Sequence, residues 1–276
     1  MGKRIVSTLI LWSALFAILW FFRTSGAVAL IALVTVLTLR EFYQLQAAAG
    51  RAPFAKLGMA FGALIAAAPW LQSRFGWPAE RLLPLAVVVF CVRILGEREG
   101  DKRADSLAST VFGLVYVALM LQFFVRIATP LPGDAISADG RLLLCLWLVI
   151  VAKLCDTGAL LTGLVAGRHP LAPNISPKKT WEGAVGGVGA AMLAGAAAAW
   201  FARGELGPYL SPQRAALVAV PVAVVAIVSD LIESILKRQA DLKDSGRSIP
   251  GIGGIFDMTD SLLLAAPIGY VLFGFR

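Results

Sequence analysis

The sequence is short of charge. Only 15% of its 276 residues are Asp, Glu, Lys or Arg, against 58% hydrophobic, and the mean hydropathy is +0.79. Soluble globular domains average about 25% charged and about 45–50% apolar, so both values depart in the same direction. A disordered chain, a collagen-like repeat and an ordinary soluble enzyme are thereby excluded. Cysteine is scarce as well. Cys91, Cys145 and Cys155 lie in or beside apolar runs without a CxxC spacing, which argues against a disulfide framework or a zinc site. The single histidine, His169, precedes Pro170, and no Ser/His/Asp arrangement is present, so acyl transfer by a triad is not supported. No internal repeat is found, although transporters are commonly built from repeats.

Apolar runs take the place of what is missing. Nine of them, at about 5–22, 26–39, 57–71, 82–96, 107–125, 142–154, 184–202, 214–236 and 261–275, predict an all-α, polytopic integral membrane protein of about nine transmembrane helices. The opening Met-Gly-Lys3-Arg4 and the later Ala27-Val28-Ala29 imitate a signal peptide. The next run follows at once, so an uncleaved first helix is expected. Lys+Arg is 25 and Asp+Glu 17, a formal charge of +8. With the N-terminus cytoplasmic, inner segments hold 15 of these cations and outer ones 8, all eight being arginine. The positive-inside bias supports that orientation, with the C-terminus outside.

The runs suggest an N-terminal set of about five helices in 1–140 and a C-terminal region in 141–276 that carries chemistry on two cytoplasmic loops, 155–183 and 237–260. Both are dense in Gly, Pro, Ser and charge. In the first, Ser176, Lys178, Lys179 and Thr180 offer hydroxyl and ammonium donors to several phosphate oxygens at once. A juxtamembrane basic patch that meets anionic lipid is the plainer alternative. Gly183 and Gly187 form a GxxxG suited to helix packing.

The second segment is richer. Asp230, Glu233, Ser234 and Lys237 follow i, i+3, i+4, i+7 spacing and share one helical face. Ionisable groups within a span are costly unless paired or facing a cavity, which marks them as functional candidates. Beyond them come Arg238, Lys243, Asp244 and the run Pro250-Gly251-Ile252-Gly253-Gly254, then Asp257 and Asp260 at i, i+3. Aspartates converging with Asp230 would make an oxygen site for a hard cation such as Mg²⁺. Alternatively, Asp257 caps a helix N-terminus and Asp260 complements its dipole. Phosphoryl chemistry fits the lack of a Ser/His/Asp arrangement, because an attacking phosphomonoester is largely ionised near neutral pH without a base.

These blocks resemble the phosphatidate cytidylyltransferase (CDP-diglyceride synthase) family. The resemblance rests on Ser234-Ile-Leu-Lys237-Arg238, then Lys243-Asp244-Ser245-Gly246, then Pro250-Gly251-x-Gly253-Gly254-x-x-Asp257-x-x-Asp260. Cys155-Asp156-Thr157-Gly158 and Leu171-Ala-Pro-Asn-Ile-Ser176-Pro-Lys178-Lys179-Thr180-Trp181-Glu182-Gly183 extend it upstream. Arg40-Glu41-Phe42-Tyr43 is a weaker echo. The strong match covers about 153–262, and the N-terminal half is similar mainly in hydropathy. The resemblance implies transfer of CMP from CTP to phosphatidate, giving CDP-diacylglycerol and pyrophosphate, at the cytoplasmic side of the cell membrane.

Further expectations follow from the same resemblance. Catalytic roles fall to Asp230, Asp257, Lys237 and Lys243. Substrate binding falls to Ser176, Lys178, Lys179, Thr180, Ser234, Arg238, Gly253 and Gly254. Asp230, Asp244, Asp257 and Asp260 would hold Mg²⁺, with a second cation as a further expectation. Membrane lipid and a second copy of the chain, as a homodimer, are the implied partners, and nucleic acid is not. The chain departs from the family pattern at Ile252, where a histidine stands, at Met258, where an arginine stands, and at Ser229, where a glycine stands. A paralogue acting on another lipid phosphate, or one without activity, would also fit, as would a membrane transporter.

Overall fold

The computed structural model describes residues 2–96, 103–130, 136–207, 209–246, 248 and 253–275; within the first helix it describes the side chains of Ser13 and of residues from 17 onward. Ile252, Pro250 and Gly251 lie outside the described residues. The architecture is helical: α1 (Gly2–Ala48), α2 (Ala55–Phe75), α3 (Leu82–Leu95), α4 (Arg103–Ala128), α5 (Ala138–Ala166), α6 (Trp181–Phe201), α7 (Pro212–Gln239) and α8 (Ile255–Leu272). Among the described residues the strands are those of one two-stranded antiparallel hairpin, β1 (Pro170–Ala172) and β2 (Ser176–Thr180), paired Pro170↔Thr180 and Ala172↔Ser176.

Among the described residues, six helices are long and apolar enough to cross a membrane: 17–48 of α1, then α4, α5, α6, α7 and α8. Nine runs are predicted, and the other three differ for separate reasons. Residues 5–22 fall mostly where side chains are not described. Residues 57–71 form the middle of α2, whose ends Lys56 and Gln72–Arg74 dilute a shorter apolar stretch. Residues 82–96 give α3, whose 14 residues rise about 21 Å against a hydrocarbon core of about 30 Å. The joint expected between the first two runs is a kink at Arg23 (φ 46°) inside α1.

The loops are shorter than the sequence suggests. Helix α5 continues to Ala166, so Asp156 and Thr157, placed by the sequence in a loop, are helical; Thr157 returns its hydroxyl to the Lys153 carbonyl at 2.9 Å. Helix α8 likewise begins at Ile255 and takes Asp257 and Asp260 into its first two turns.

The chain forms two compact units. One comprises residues 1–129 and 236–259, the other 130–235 and 260–276. In the first unit the core is aromatic: Phe42 lies 5.6 Å from Tyr43, 5.7 Å from Phe112 and 6.0 Å from Phe256, centroid to centroid. The Tyr43 hydroxyl donates to the Thr110 carbonyl at 3.0 Å, and both Gly58 and Gly113 leave room for its ring. In the second unit α5 and α6 meet along small residues. A Cβ on Gly187 would sit 2.8 Å from the Cys155 carbonyl oxygen, and one on Gly183 would sit 2.8 Å from that of Ala159. The GxxxG is a packing seam, as its spacing predicts.

Candidate functional site

In the second unit, three helices bring ionisable groups together. Helix α7 carries Asp230 and Glu233 one turn apart, and α8 contributes Asp260. One carboxylate oxygen from each lies within 4.8 Å of the other two, with Glu233 and Asp260 buried. Carboxylates so close repel unless cations offset them. Two lysines do so in part. Lys179, from β2, makes an ion pair with Asp230. Lys153, from α5, lies 3.5 Å from Asp260 and 3.3 Å from Asp156. Ser261 completes the group, receiving a hydrogen bond from Lys153 at 2.8 Å and donating to Asp156 at 3.0 Å. A cluster of oxygen donors in a largely apolar unit fits a hard divalent cation.

Ser229, where the family pattern has glycine, is fully buried and donates its hydroxyl to the backbone carbonyl of Asp260. The departure thus ties α7 to α8 beside the carboxylates. Met258, the second departure, is half-buried in the first turn of α8.

The hairpin residues divide. Lys179 reaches the carboxylates, whereas Lys178 is exposed. Thr180 is the N-cap of α6, its hydroxyl accepting the Gly183 N–H at 3.1 Å. Ser176 is half-buried in β2. His169 pairs through Nδ1 with Glu182 at 2.5 Å, a link that fastens the hairpin to α6.

In the first unit a second group forms around the N-terminus of α8. The Asp257 carboxylate lies 2.9 Å from Lys237 Nζ and accepts the N–H groups of Gly254 at 3.2 Å and Ser245 at 3.1 Å. It therefore performs the capping work weighed as an alternative, and holds a lysine as well. Gly253 has φ 127°, a backbone state that side-chain-bearing residues rarely adopt. Arg238, Lys243 and Asp244 are exposed, and Ser234 is half-buried on α7.

Asp230, Asp260 and Lys179 are among the residues expected from the sequence, whereas Glu233 is expected only on the helical face of Asp230, Ser234 and Lys237 and not at the cation. Lys153 and Ser261 are not singled out by the sequence. Their signal was faint: one lysine near the end of an apolar run, and a serine next to Asp260.

A cytidylyltransferase family profile matches residues 2–275. A phosphatidate cytidylyltransferase of Synechocystis sp. is 32% identical, the match covering 97% of this chain and 94% of that protein. A phosphatidate cytidylyltransferase of Thermotoga maritima is 30% identical over 72% of this chain and 71% of that protein. The chloroplastic phosphatidate cytidylyltransferase 4 of Arabidopsis thaliana is 33% identical over 84% and 63%. With a profile spanning nearly every residue and a relative matched along almost its whole length, the chain belongs to the cytidylyltransferase family.

Proposed function

We propose that the chain transfers CMP from CTP to phosphatidate, forming CDP-diacylglycerol and pyrophosphate. A phosphate oxygen of phosphatidate attacks the α-phosphorus of CTP. The α–β phosphoanhydride bond breaks, and pyrophosphate leaves with its electron pair. Because a phosphomonoester's second pKa is about 6, the attacking oxygen is ionised at neutral pH and needs no general base. Alignment and charge neutralisation are what remain to be supplied.

The observation that carries this is the group of Asp230, Glu233 and Asp260 oxygens within 4.8 Å. These residues would hold Mg²⁺, which when bound would offset phosphate charge. Lys178, Lys179, Lys237, Arg238 and Lys243 supply the remaining positive charge, with Ser176, Ser234 and the backbone at Gly253 and Gly254 as donors. Asp257 orients Lys237, and Asp244 supports from the exposed segment.

Pyrophosphate release by the purified full-length protein is the test, with CTP alone, with CTP and phosphatidate, and after chelation. Release is expected only with both substrates and the divalent cation. Release with another lipid phosphate but not with phosphatidate would reassign the acceptor.

The chain is an integral membrane protein, and the finer topology is part of the proposal: about nine crossings, the N-terminus and both polar connections cytoplasmic, in the cell membrane, as a homodimer. The cation count across the loops supports this orientation. Under either six or nine crossings the connections 167–180 and 240–254 share a side. Only the ninefold count puts the N-terminus there too. Cysteines at Asn174 and Ser248 should react with an impermeant thiol reagent only in opened cells, and an N-terminal reporter should share their side. Labelling in intact cells would reverse the orientation.

A further inference from the structure

Helix α8 follows a glycine, Gly254, which has no side chain to cap the first turn. Gly254 precedes Ile255, and its N–H is accepted by the Asp257 carboxylate three residues on, which is one half of a capping box. The other half, a cap hydroxyl accepting an N–H of the first turn, has no counterpart on glycine. Two distant residues provide it. Glu41 Oε2, from α1, accepts the Phe256 N–H at 2.8 Å, and Ser245 Oγ accepts the Asp257 N–H at 3.3 Å. Ser245 passes its own hydrogen on to Glu41 Oε2 at 3.2 Å, while Ser248 donates to Glu41 Oε1. The carboxylate is 1% exposed.

The glycines complete the picture. A Cβ on Gly254 would lie 2.2 Å from Ser245 Oγ and 2.5 Å from Glu41 Oε2, and a Cβ on Gly246 would lie 2.5 Å from Glu41 Oε1. Both positions are bare because a cap from another helix fills their side-chain space. A buried carboxylate in a membrane protein is costly, and this one gathers three donors from a segment about 200 residues away.

We infer that Glu41 is a positioning residue for the nucleotide-binding segment. It draws Ser245 and Ser248 onto the start of α8, and so fixes the Asp257 carboxylate, its Lys237 partner and the Gly254 backbone. That this segment receives CTP rests on the proposed activity; that Glu41 orders it does not.

Three variants of the full-length protein test this, each followed by steady-state kinetics and by amide hydrogen exchange. Glu41→Gln keeps the length but leaves one oxygen acceptor, and should raise the CTP KM about tenfold, the equivalent of one charge-assisted hydrogen bond. The phosphatidate KM should stay within about twofold. Glu41→Asp is one methylene short of its donors and should lose on the order of a hundredfold in kcat/KM for CTP, as a misplacement of about 1 Å does. In both, peptides covering 244–246 and 253–259 should exchange faster, while those from α5 and α6 keep the parent rate.

Unchanged exchange in those two peptides would overturn the inference. So would a fall in kcat with both KM values at parent level, which is what a merely stabilising residue would produce. Should Glu41→Gln not fold, Gly254→Ala displaces the same cap with Glu41 retained and is judged by the same exchange pattern. If the parent released no pyrophosphate from CTP, the proposed activity would fail by itself, and exchange alone would decide the role of Glu41.

Discussion

Asp257 and Asp260 stand three residues apart on α8, yet they keep different company. Asp257 is held by Lys237 and by the N–H groups of Ser245 and Gly254. Asp260 lies among Asp230, Glu233 and Lys153. The first is a carboxylate whose charge is taken up by donors of the protein. The second sits in a close group of carboxylates with Lys153 at its edge, and such crowded negative charge is what a divalent cation relieves. Spacing on a helix assigns two residues to a face, but their partners decide whether a carboxylate builds structure or collects a ligand.

The sharpest way to break this contrast is to remove a charge from the crowded group. Asp230→Asn and Asp260→Asn should each lower CTP turnover by about a thousandfold, as loss of a preorganised electrostatic element does. Folding should persist, read by the elution profile and thermal unfolding. Next comes Glu233→Gln. If Glu233 belongs with the two aspartates, turnover should fall about a hundredfold and the Mg²⁺ requirement shift upward by a similar factor. A Glu233→Gln enzyme with ordinary Mg²⁺ dependence would leave only the aspartates at the cation.

Asp257→Asn tests the other side of the comparison. The amide oxygen can still accept a backbone N–H, whereas the Lys237 pair is lost, so a decrease of about tenfold with unaltered Mg²⁺ dependence is expected. A loss as deep as that of Asp230→Asn, with the Mg²⁺ response abolished, would place Asp257 among the cation ligands and erase the distinction. The smallest effect should come from Ser229→Gly. It deletes the hydrogen bond to the Asp260 carbonyl and adds a helical glycine, each costing about 1 kcal/mol. Thermal unfolding should move down by a few degrees while turnover stays within about twofold.

Much of this is legible in the sequence, and the rest is hidden for distinct physical reasons. Apolar runs announced the helices because a span must satisfy its own backbone, and the Asp230–Lys237 spacing displayed a face. The GxxxG predicted its seam. Periodicity does not reveal the partner across a gap. Lys179 finds Asp230 from 51 residues away, and Glu41 finds Ser248 from 207. Polar residues at the edge of an apolar run suggest a loop, but α5 continues through both Asp156, which meets Lys153 and Ser261, and Thr157, which bonds back to the Lys153 carbonyl. Apolarity and length are separate requirements for a candidate span, and α3, apolar but 14 residues long, meets only the first.

The seam between α5 and α6 also bears on how the protein is made. Its two helices are joined by a fourteen-residue connection, 167–180, and the atoms nearest Gly158, Gly183 and Gly187 belong to these two helices or to the end of that connection. Such a pair can close while the ribosome is still adding later residues, since local contacts form early and ask little of loop closure. The cap that Glu41 provides must wait for residue 256, which is made after both helices of that pair. A nascent chain with that helical pair already made therefore still carries Glu41 without its donors. Variants that slow synthesis or insertion near the C-terminus should expose that interval to proteolysis before they touch the finished enzyme.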